Sequence, residues 1–200
     1  MSRLVIASNN AGKLAELSAI LGPFGFETVP QDALGVPEAE EPHHTFVENA
    51  LAKARHCARQ TGLAALADDS GLCVAALGGA PGVHSAYYAG RHGSREQRDR
   101  ANNALLVESL AGAEDRSAHY YCVMVLMRNH DDPEPLIAEG RWHGEIVAMP
   151  RGTGGFGYDA HFLLPGPGLT AAELPAAEKN RLSHRAQAAA RLVARLRGVE

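Results

Sequence analysis

The run Ala67-Asp68-Asp69-Ser70-Gly71-Leu72 constrains this chain more than any other segment. It follows the apolar stretch Leu63-Ala64-Ala65-Leu66 and precedes another from Leu72 to Leu77. Adjacent carboxylates between apolar runs, followed by Ser-Gly, predict a buried strand that ends on the acidic pair and turns where a sheet opens onto a cleft. Carboxylates held close together repel unless a positive charge stands near them. A hard cation such as Mg²⁺ meets that need, and it is commonly held by one or two carboxylates together with substrate phosphates. A polar turn that merely contains Asp-Asp-Ser-Gly fits the same local pattern, so the rest of the chain has to decide.

Leu4 to Ala7 is a short apolar run of the kind buried on both faces of a parallel sheet. After the loop Ser8-Asn9-Asn10-Ala11-Gly12-Lys13, the residues Leu14, Leu17, Ile20 and Leu21 recur at helical spacing, and Gly22-Pro23 stops that helix. Phe26 to Val29 reads as a second strand, and residues 30–44 as a loop rich in Pro, Glu and His that carries Glu38, Glu40 and Glu41. Thr45 and Glu48 have capping-box spacing and open a helix striped by Phe46, Ala50, Ala54 and Cys57. Another helix is predicted over 94–112, with Leu105, Leu106 and Leu110 on its buried side. Strands are predicted at His119 to Met127, Leu136 to Ala138, Trp142 to Met149 and His161 to Leu164. A last helix starts near Ser183, striped by Leu182, Ala186, Ala189, Val193 and Leu196. Strands and helices alternate early and hairpin-like strands come late, which predicts an α/β fold with a mixed central sheet and flanking helices, built as a single domain over residues 1–200.

Bulk properties narrow the function. A net charge near −4 argues against nucleic acid as a partner, because non-specific binding to it relies on a basic surface. The three cysteines, Cys57, Cys73 and Cys122, are odd in number, lack CxxC spacing and sit among apolar neighbours, so buried free thiols are expected. No apolar run approaches the length of a membrane span, and Met1 to Ala7 enters a strand directly rather than a signal peptide. A cytoplasmic protein with no membrane partner is the expectation.

Four constellations accompany the acidic run. Ser8 to Lys13 joins a strand to a helix, where backbone N–H groups and the Lys13 charge favour an anion. It lacks the first glycine of a P-loop, and a generic strand–turn–helix with an exposed lysine is the alternative. On the next helix Asn49 and Lys53 share a face, and Glu48 serves the cap. In Gly154-Gly155-Phe156-Gly157-Tyr158-Asp159 the glycines allow close backbone approach, an aromatic ring can stack on a base and Asp159 can accept hydrogen bonds; a hairpin loop is the alternative. In Glu178 to Arg185, Ser183 can cap the last helix, leaving His184 and Arg185 at a positive helix end that an anion or ligand would compensate.

Taken together these runs resemble the HAM1-like noncanonical purine nucleoside triphosphate pyrophosphatases, also called inosine triphosphatases or dITP/XTP diphosphatases. The matching blocks are Ser8 to Lys13, Thr45 to Ala54, Ala67 to Gly71, Pro81-Gly82-Val83-His84-Ser85-Ala86, Gly154 to Asp159 and Ser183-His184-Arg185. The resemblance implies two lobes around a deep active-site cleft, Mg²⁺ dependence and a homodimer. It implies hydrolysis of ITP, dITP and XTP to monophosphate and pyrophosphate. It makes Asp69, with Asp68 and Lys53, the catalytic group, and Asp69 with Glu40 or Glu41 the magnesium ligands. Ser8, Asn9, Asn10, Ala11, Gly12 and Lys13 match the triphosphate loop, and Ser70 a substrate contact. Phe156, Gly157, Tyr158, Asp159, Lys179, His184 and Arg185 match nucleotide-binding positions. Two departures stand out: Tyr87 occupies the place of an arginine common in the family, and Ala160 that of a proline. A Maf-like pyrophosphatase for other nucleotides and a nucleotide sensor without hydrolysis are the rival readings.

Overall fold

The computed structural model describes residues 2–198. Its strands are β1 Ser2–Ile6, β2 Phe26–Pro30, β3 Ala65–Val74, β4 Ser117–Met127, β5 Leu136–Ile146, β6 Phe162–Leu164 and β7 Leu169–Thr170. Its helices are α1 Ala11–Leu21, α2 Phe46–Thr61, α3 Arg95–Ser109, α4 Ala176–Leu182 and α5 His184–Leu196. Among the described residues the strands form one mixed sheet in the order β2-β1-β3-β4-β5-β6-β7. β1 pairs in parallel with β2 and β3, with Val5 opposite Val29 on one side and Ala65 on the other. Parallel neighbours need crossover connections, and α1 and α2 supply them. The late strands β5, β6 and β7 pair antiparallel. The mixed α/β sheet expected from the sequence is therefore present.

The helices start and stop where side-chain chemistry directs. The Asn10 side chain accepts from Lys13 N at 3.2 Å and caps α1, which ends at Gly22. Thr45 accepts from Glu48 N at 3.4 Å and caps α2, but Glu48 accepts from the Thr45 hydroxyl at 2.5 Å rather than from its backbone N–H, so the expected capping box forms only in its N-cap half. Ser183 accepts from Ala186 N at 3.3 Å and caps α5. The short helix α4 and strand β7 lack comparable signals and were not foreseen.

Two sequence expectations are corrected. Leu136 to Ala138 and Trp142 to Met149, expected as paired strands, form the single strand β5, which ends at Ile146, because the alternation of buried and exposed residues runs on through Glu139, Gly140 and Arg141. The other concerns the acidic run. The strand does not end on the acidic pair; β3 runs unbroken from Ala65 to Val74, straight through Asp68, Asp69, Ser70 and Gly71. Polar and glycine residues favour a turn locally, but buried cations compensate both carboxylates here, and tertiary context overrides local propensity.

Two compact units emerge. The first comprises Met1–Asp69, Cys122–Gly140 and Ser183–Glu200; the second comprises Ser70–Tyr121 and Arg141–Leu182. In the first, Leu4, Ile6, Leu17, Leu21, Leu66, Met124, Leu126, Leu192 and Val193 form the core. In the second, Leu72, Val74, Leu106, Leu110, Tyr120, Trp142 and Phe162 do so. The Phe162 ring lies 4.6 Å from Tyr120 and 5.5 Å from Trp142, centroid to centroid, within the range of favourable aromatic packing. Cys57 and Cys122 are buried free thiols, as expected, whereas Cys73 is a free thiol that is only half-buried.

In the first unit, Gly140 of β5 lies directly under α5. A Cβ at this position would stand 2.1 Å from the His184 carbonyl oxygen and 2.8 Å from Ala188 N, both backbone atoms. Gly140→Ala should therefore force α5 off the sheet and cost about 3 kcal/mol, as overpacking against rigid backbone does. Thermal unfolding should show this as a loss of roughly 6–12 °C in Tm. An unchanged Tm would mean that α5 slides without cost.

Candidate active site

Successive side chains of a strand point to opposite faces. In β3 that alternation separates the acidic pair, and each carboxylate of the first unit meets its own cations. Asp68 faces α1 and α5. Lys13 Nζ lies 3.3 Å from its Oδ1, while Arg185 Nε and Nη2 donate to its Oδ2 at 3.2 and 3.1 Å. Arg185 Nη1 also pairs with the Glu16 carboxylate of α1. The Cys122 thiol approaches Asp68 Oδ2 at 3.9 Å. Burial opposes the Asp68 charge, yet Lys13, Arg185 and Lys53 outweigh it and hold the carboxyl well below the usual carboxylate range. Burial likewise works against the Arg185 charge, and Asp68 and Glu16 keep the guanidinium ionised.

Asp69 faces α2. Lys53 Nζ donates to its Oδ1 at 2.9 Å, and Asn49 Nδ2 to its Oδ2 at 3.4 Å. Lys53 is shared, because Glu41 Oε1 lies 2.6 Å from the same ammonium. Burial pushes the Asp69 carboxyl up, Lys53 and Lys13 pull it down and Glu41 pushes it up again; the net is a pKa above the usual value. Burial opposes the Lys53 charge as well, but Asp69, Glu41 and Asp68 drive its pKa above the ordinary lysine range. Neighbouring carboxylates with pKa values pushed apart are the hallmark of divided labour. Asp68 is held as an anion, whereas burial favours the neutral form of Asp69.

Asn49 also accepts from His43 N at 3.1 Å and donates to His43 O at 3.2 Å, fastening the loop that carries Glu41. Glu40 is exposed and does not share this arrangement. Asp69 and Glu41 thus offer two hard oxygen donors around one ammonium. That set fits a small hard dication that completes its shell with substrate oxygens. Among the described residues no cluster of three or more metal-ligating side chains occurs, in keeping with so sparse a ligand set.

The residues expected to form a triphosphate loop stand at the start of α1. Ser8 Oγ accepts from Asn10 N at 3.2 Å, and Asn9 Oδ1 accepts from Gln31 Nε2 at 3.1 Å. Ala11, Gly12 and Lys13 form the first turn of α1. The Lys13 side chain is only 15% exposed, so it is not the solvated lysine of the alternative reading. His184 and Arg185, first residues of α5, are both buried.

In the second unit, the loop before β6 gathers the other predicted residues. Asp159 Oδ1 accepts from the Tyr120 hydroxyl at 3.2 Å, and Oδ2 from Phe156 N at 2.9 Å and Lys179 Nζ at 2.6 Å. Lys179, from α4, also lies 4.8 Å from the Phe156 ring centroid, and the Arg95 guanidinium lies 5.1 Å from it. Gly155 has φ +70°, and a Cβ there would meet Asp159 Oδ2 at 2.0 Å, so only glycine fits this turn. The Tyr158 hydroxyl donates to Ser85 O at 2.8 Å. Ser70, next after Asp69 in β3, is half-buried. Tyr87 carries the Arg91 and Arg98 guanidiniums over its ring, at 4.3 and 5.6 Å.

Sequence reasoning missed Glu16, Tyr120 and Cys122, and it placed Asn49 on the face of Lys53 without giving it a role. Glu16 stands three residues after Lys13, hence on the same helical face, and that spacing was its available signal. Tyr120 and Cys122 had none, being apolar-strand residues among many.

A model of the Ham1 family matches residues 4–195. The dITP/XTP pyrophosphatase of Ralstonia nicotianae is 66% identical over 197 residues, covering 98% of both chains. That of Nitrosomonas europaea is 63% identical over 193 residues, covering 96% of this chain and 93% of the relative. Among solved structures, a HAM1 protein from Coxiella burnetii superposes with a TM-score of 0.89 at 49% identity, covering 99% of this chain and all of that one.

The separated carboxylates predict opposite responses to amide substitution. Asp68→Asn leaves Arg185 and Lys13 without their shared anion and should cost about 3–5 kcal/mol, as breaking a buried pair does. Asp69→Asn removes a carboxylate whose charged form burial already disfavours, so stability near pH 7 should hold or rise. The depressed Asp68 group stabilises the fold above its unfolded value near pH 4, and that contribution fades as pH falls through the lower folded value. Urea titrations at pH 7 and 3.5 check this. Equal losses for both variants at pH 7 would contradict the separation.

Proposed function

This chain belongs to the Ham1 family, and on that premise we propose that it hydrolyses noncanonical purine nucleoside triphosphates, ITP, dITP and XTP, to the monophosphate and pyrophosphate. The observation that carries this reading is the division of the β3 carboxylates, one locked between Lys13 and Arg185, the other set beside Lys53 and Glu41. Water attack on a phosphorus atom is helped by a carboxylate placed to take the proton, and Asp69 is the carboxylate that stands beside Lys53 and Glu41. Asp69 takes the water's proton in this reading, and Asn49 steers its second oxygen.

Phosphoryl transfer asks chiefly for positioning and electrostatics. Lys13, at the start of α1, meets the triphosphate with the backbone and side chains of Ser8 to Gly12. Lys53 remains charged and offsets negative charge that develops on the transferred group. A divalent cation, Mg²⁺ in this proposal, would be held by Asp69 and Glu41 and would neutralise phosphoryl oxygens when bound. Arg185 then serves by fixing Asp68, which in turn fixes Lys13, and His184 stays in the nucleotide-binding group as an imidazole donor.

Base selection falls to the second unit. A 6-oxopurine presents an N1–H donor and an O6 acceptor; a 6-aminopurine presents the reverse. Asp159 is an acceptor and Lys179 a donor, set side by side, with the Phe156 ring as a stacking surface. That polarity matches the 6-oxo edge and sets acceptor against acceptor and donor against donor on the edge of adenine. A homodimer and a cytoplasmic setting belong to the same proposal; the described residues contain no helix long and apolar enough to cross a membrane.

The deciding measurement is a nucleotide panel with ITP, XTP, dITP, GTP, ATP and dTTP, run with and without Mg²⁺ in H₂¹⁸O, with monophosphate and pyrophosphate both quantified. Preference for dTTP, or binding of ITP without pyrophosphate release, would reject the proposal. In that assay Asp69→Asn should lose roughly 10²-fold or more in kcat. Lys13→Ala should raise KM for ITP by about 1.5–3 kcal/mol in binding terms, with the ITP-to-ATP ratio of kcat/KM unmoved. A changed ratio with constant KM would assign Lys13 to the base instead.

A further inference from the structure

Helix α3 was read from sequence only for its leucines, yet its polar face grips the loop that carries Phe156. Arg95, Asp99, Asn102 and Asn103 recur at the spacing of one helical face. Asp99 Oδ2 accepts from Gly157 N at 3.3 Å, and Asn103 Nδ2 donates to Gly157 O at 2.9 Å, so both backbone polar groups of one residue are held by one helix. Asn103 Nδ2 also donates to Asp99 O at 2.9 Å. Asn102 donates to Ser85 O at 3.3 Å, the same carbonyl that receives the Tyr158 hydroxyl at 2.8 Å. Arg95 lies over the Phe156 ring at 5.1 Å. Gly157 itself has φ +62°, a conformation that backbone alone does not single out, so its partners decide which way the loop faces.

We infer that Asp99 and Asn103 are positioning residues for purine recognition: by clamping the Gly157 peptide they set the height and tilt of the Phe156 ring on which the base stacks. The inference rests on the functional reading above and extends it to residues that touch no substrate. Asn103 is suited to the task because both its amide bonds run to backbone carbonyls, which demand a donor. A carboxylate of the same size would face two carbonyl oxygens and push the loop away. The clamp acts on the base, so it should leave triphosphate recognition alone.

The test measures KM and kcat for ITP alongside the inhibition constant of inorganic tripolyphosphate, a probe without a base. Asn103→Ala should raise KM for ITP on the order of tenfold, with tripolyphosphate inhibition unchanged. Asn103→Asp should be worse than Asn103→Ala. Asp99→Ala should match Asn103→Ala, and Asp99→Asn, which keeps an acceptor for Gly157 N, should rescue most of that loss. Unchanged KM in Asn103→Ala, a parallel rise in the tripolyphosphate constant, an Asp99→Asn no better than Asp99→Ala, or an Asn103→Ala chain that does not fold by circular dichroism would each overturn the positioning role. Wild-type protein inactive on ITP would instead overturn the functional reading beneath it.

Discussion

Neighbouring residues of a β-strand cannot face the same way, and this alternation governs the first unit. Asp68 and Asp69 are adjacent in sequence, yet they live in different electrostatic settings because the pleat sends one toward α1 and α5 and the other toward α2. A strand that ended at the pair, or one extra residue between them, would place both carboxylates among the same cations. The difference in proton affinity would vanish with it. Lys13, Lys53 and Arg185 come from three helices and reach the strand from sequence distances that no local pattern links.

The second unit solves a different problem with different means. At its centre stands Asp159, whose oxygens are filled by a hydroxyl, a backbone N–H and an ammonium. Around it, aromatic side chains replace the aliphatic core of the first unit, with Tyr120 serving both as a packing partner of Phe162 and as a donor to Asp159. An aromatic ring with a polar tip does both at once, and this is why a tyrosine sits at that point of β4.

Much of this was legible in the chain. Elements with a local physical cause were found: β1 from its apolar run, α1 from its stripe and glycine stop, α2 from Thr45 and Glu48, α5 from Ser183. What local rules misjudged was β3, where Asp-Asp-Ser-Gly reads as a turn until Lys13, Lys53 and Arg185 are in place. The residue types of the site were readable, but their pairing was not. Arg185 stood out as a cation at a helix start, and nothing in the sequence said that Asp68 and Glu16 would occupy it. The role of Asn49 was not readable because its three partners, two of them backbone atoms of His43, lie outside its own helix.

That pair of hydrogen bonds between Asn49 and the His43 peptide has a consequence for how readily the acidic loop can act. Without it, Glu41 would ride on an irregular segment stretching from the end of the turn at Leu34 to Phe46, free to sample many conformations. With it, the carboxylate swings on a tether of two residues from a fixed peptide, so its effective concentration at Lys53 and Asp69 is set by geometry rather than by chance encounter. The ordering entropy of that segment is lost when the chain folds, not when a cation or a substrate arrives. A single buried asparagine thereby moves part of the cost of binding into the folding reaction, where the whole core of the unit helps to meet it.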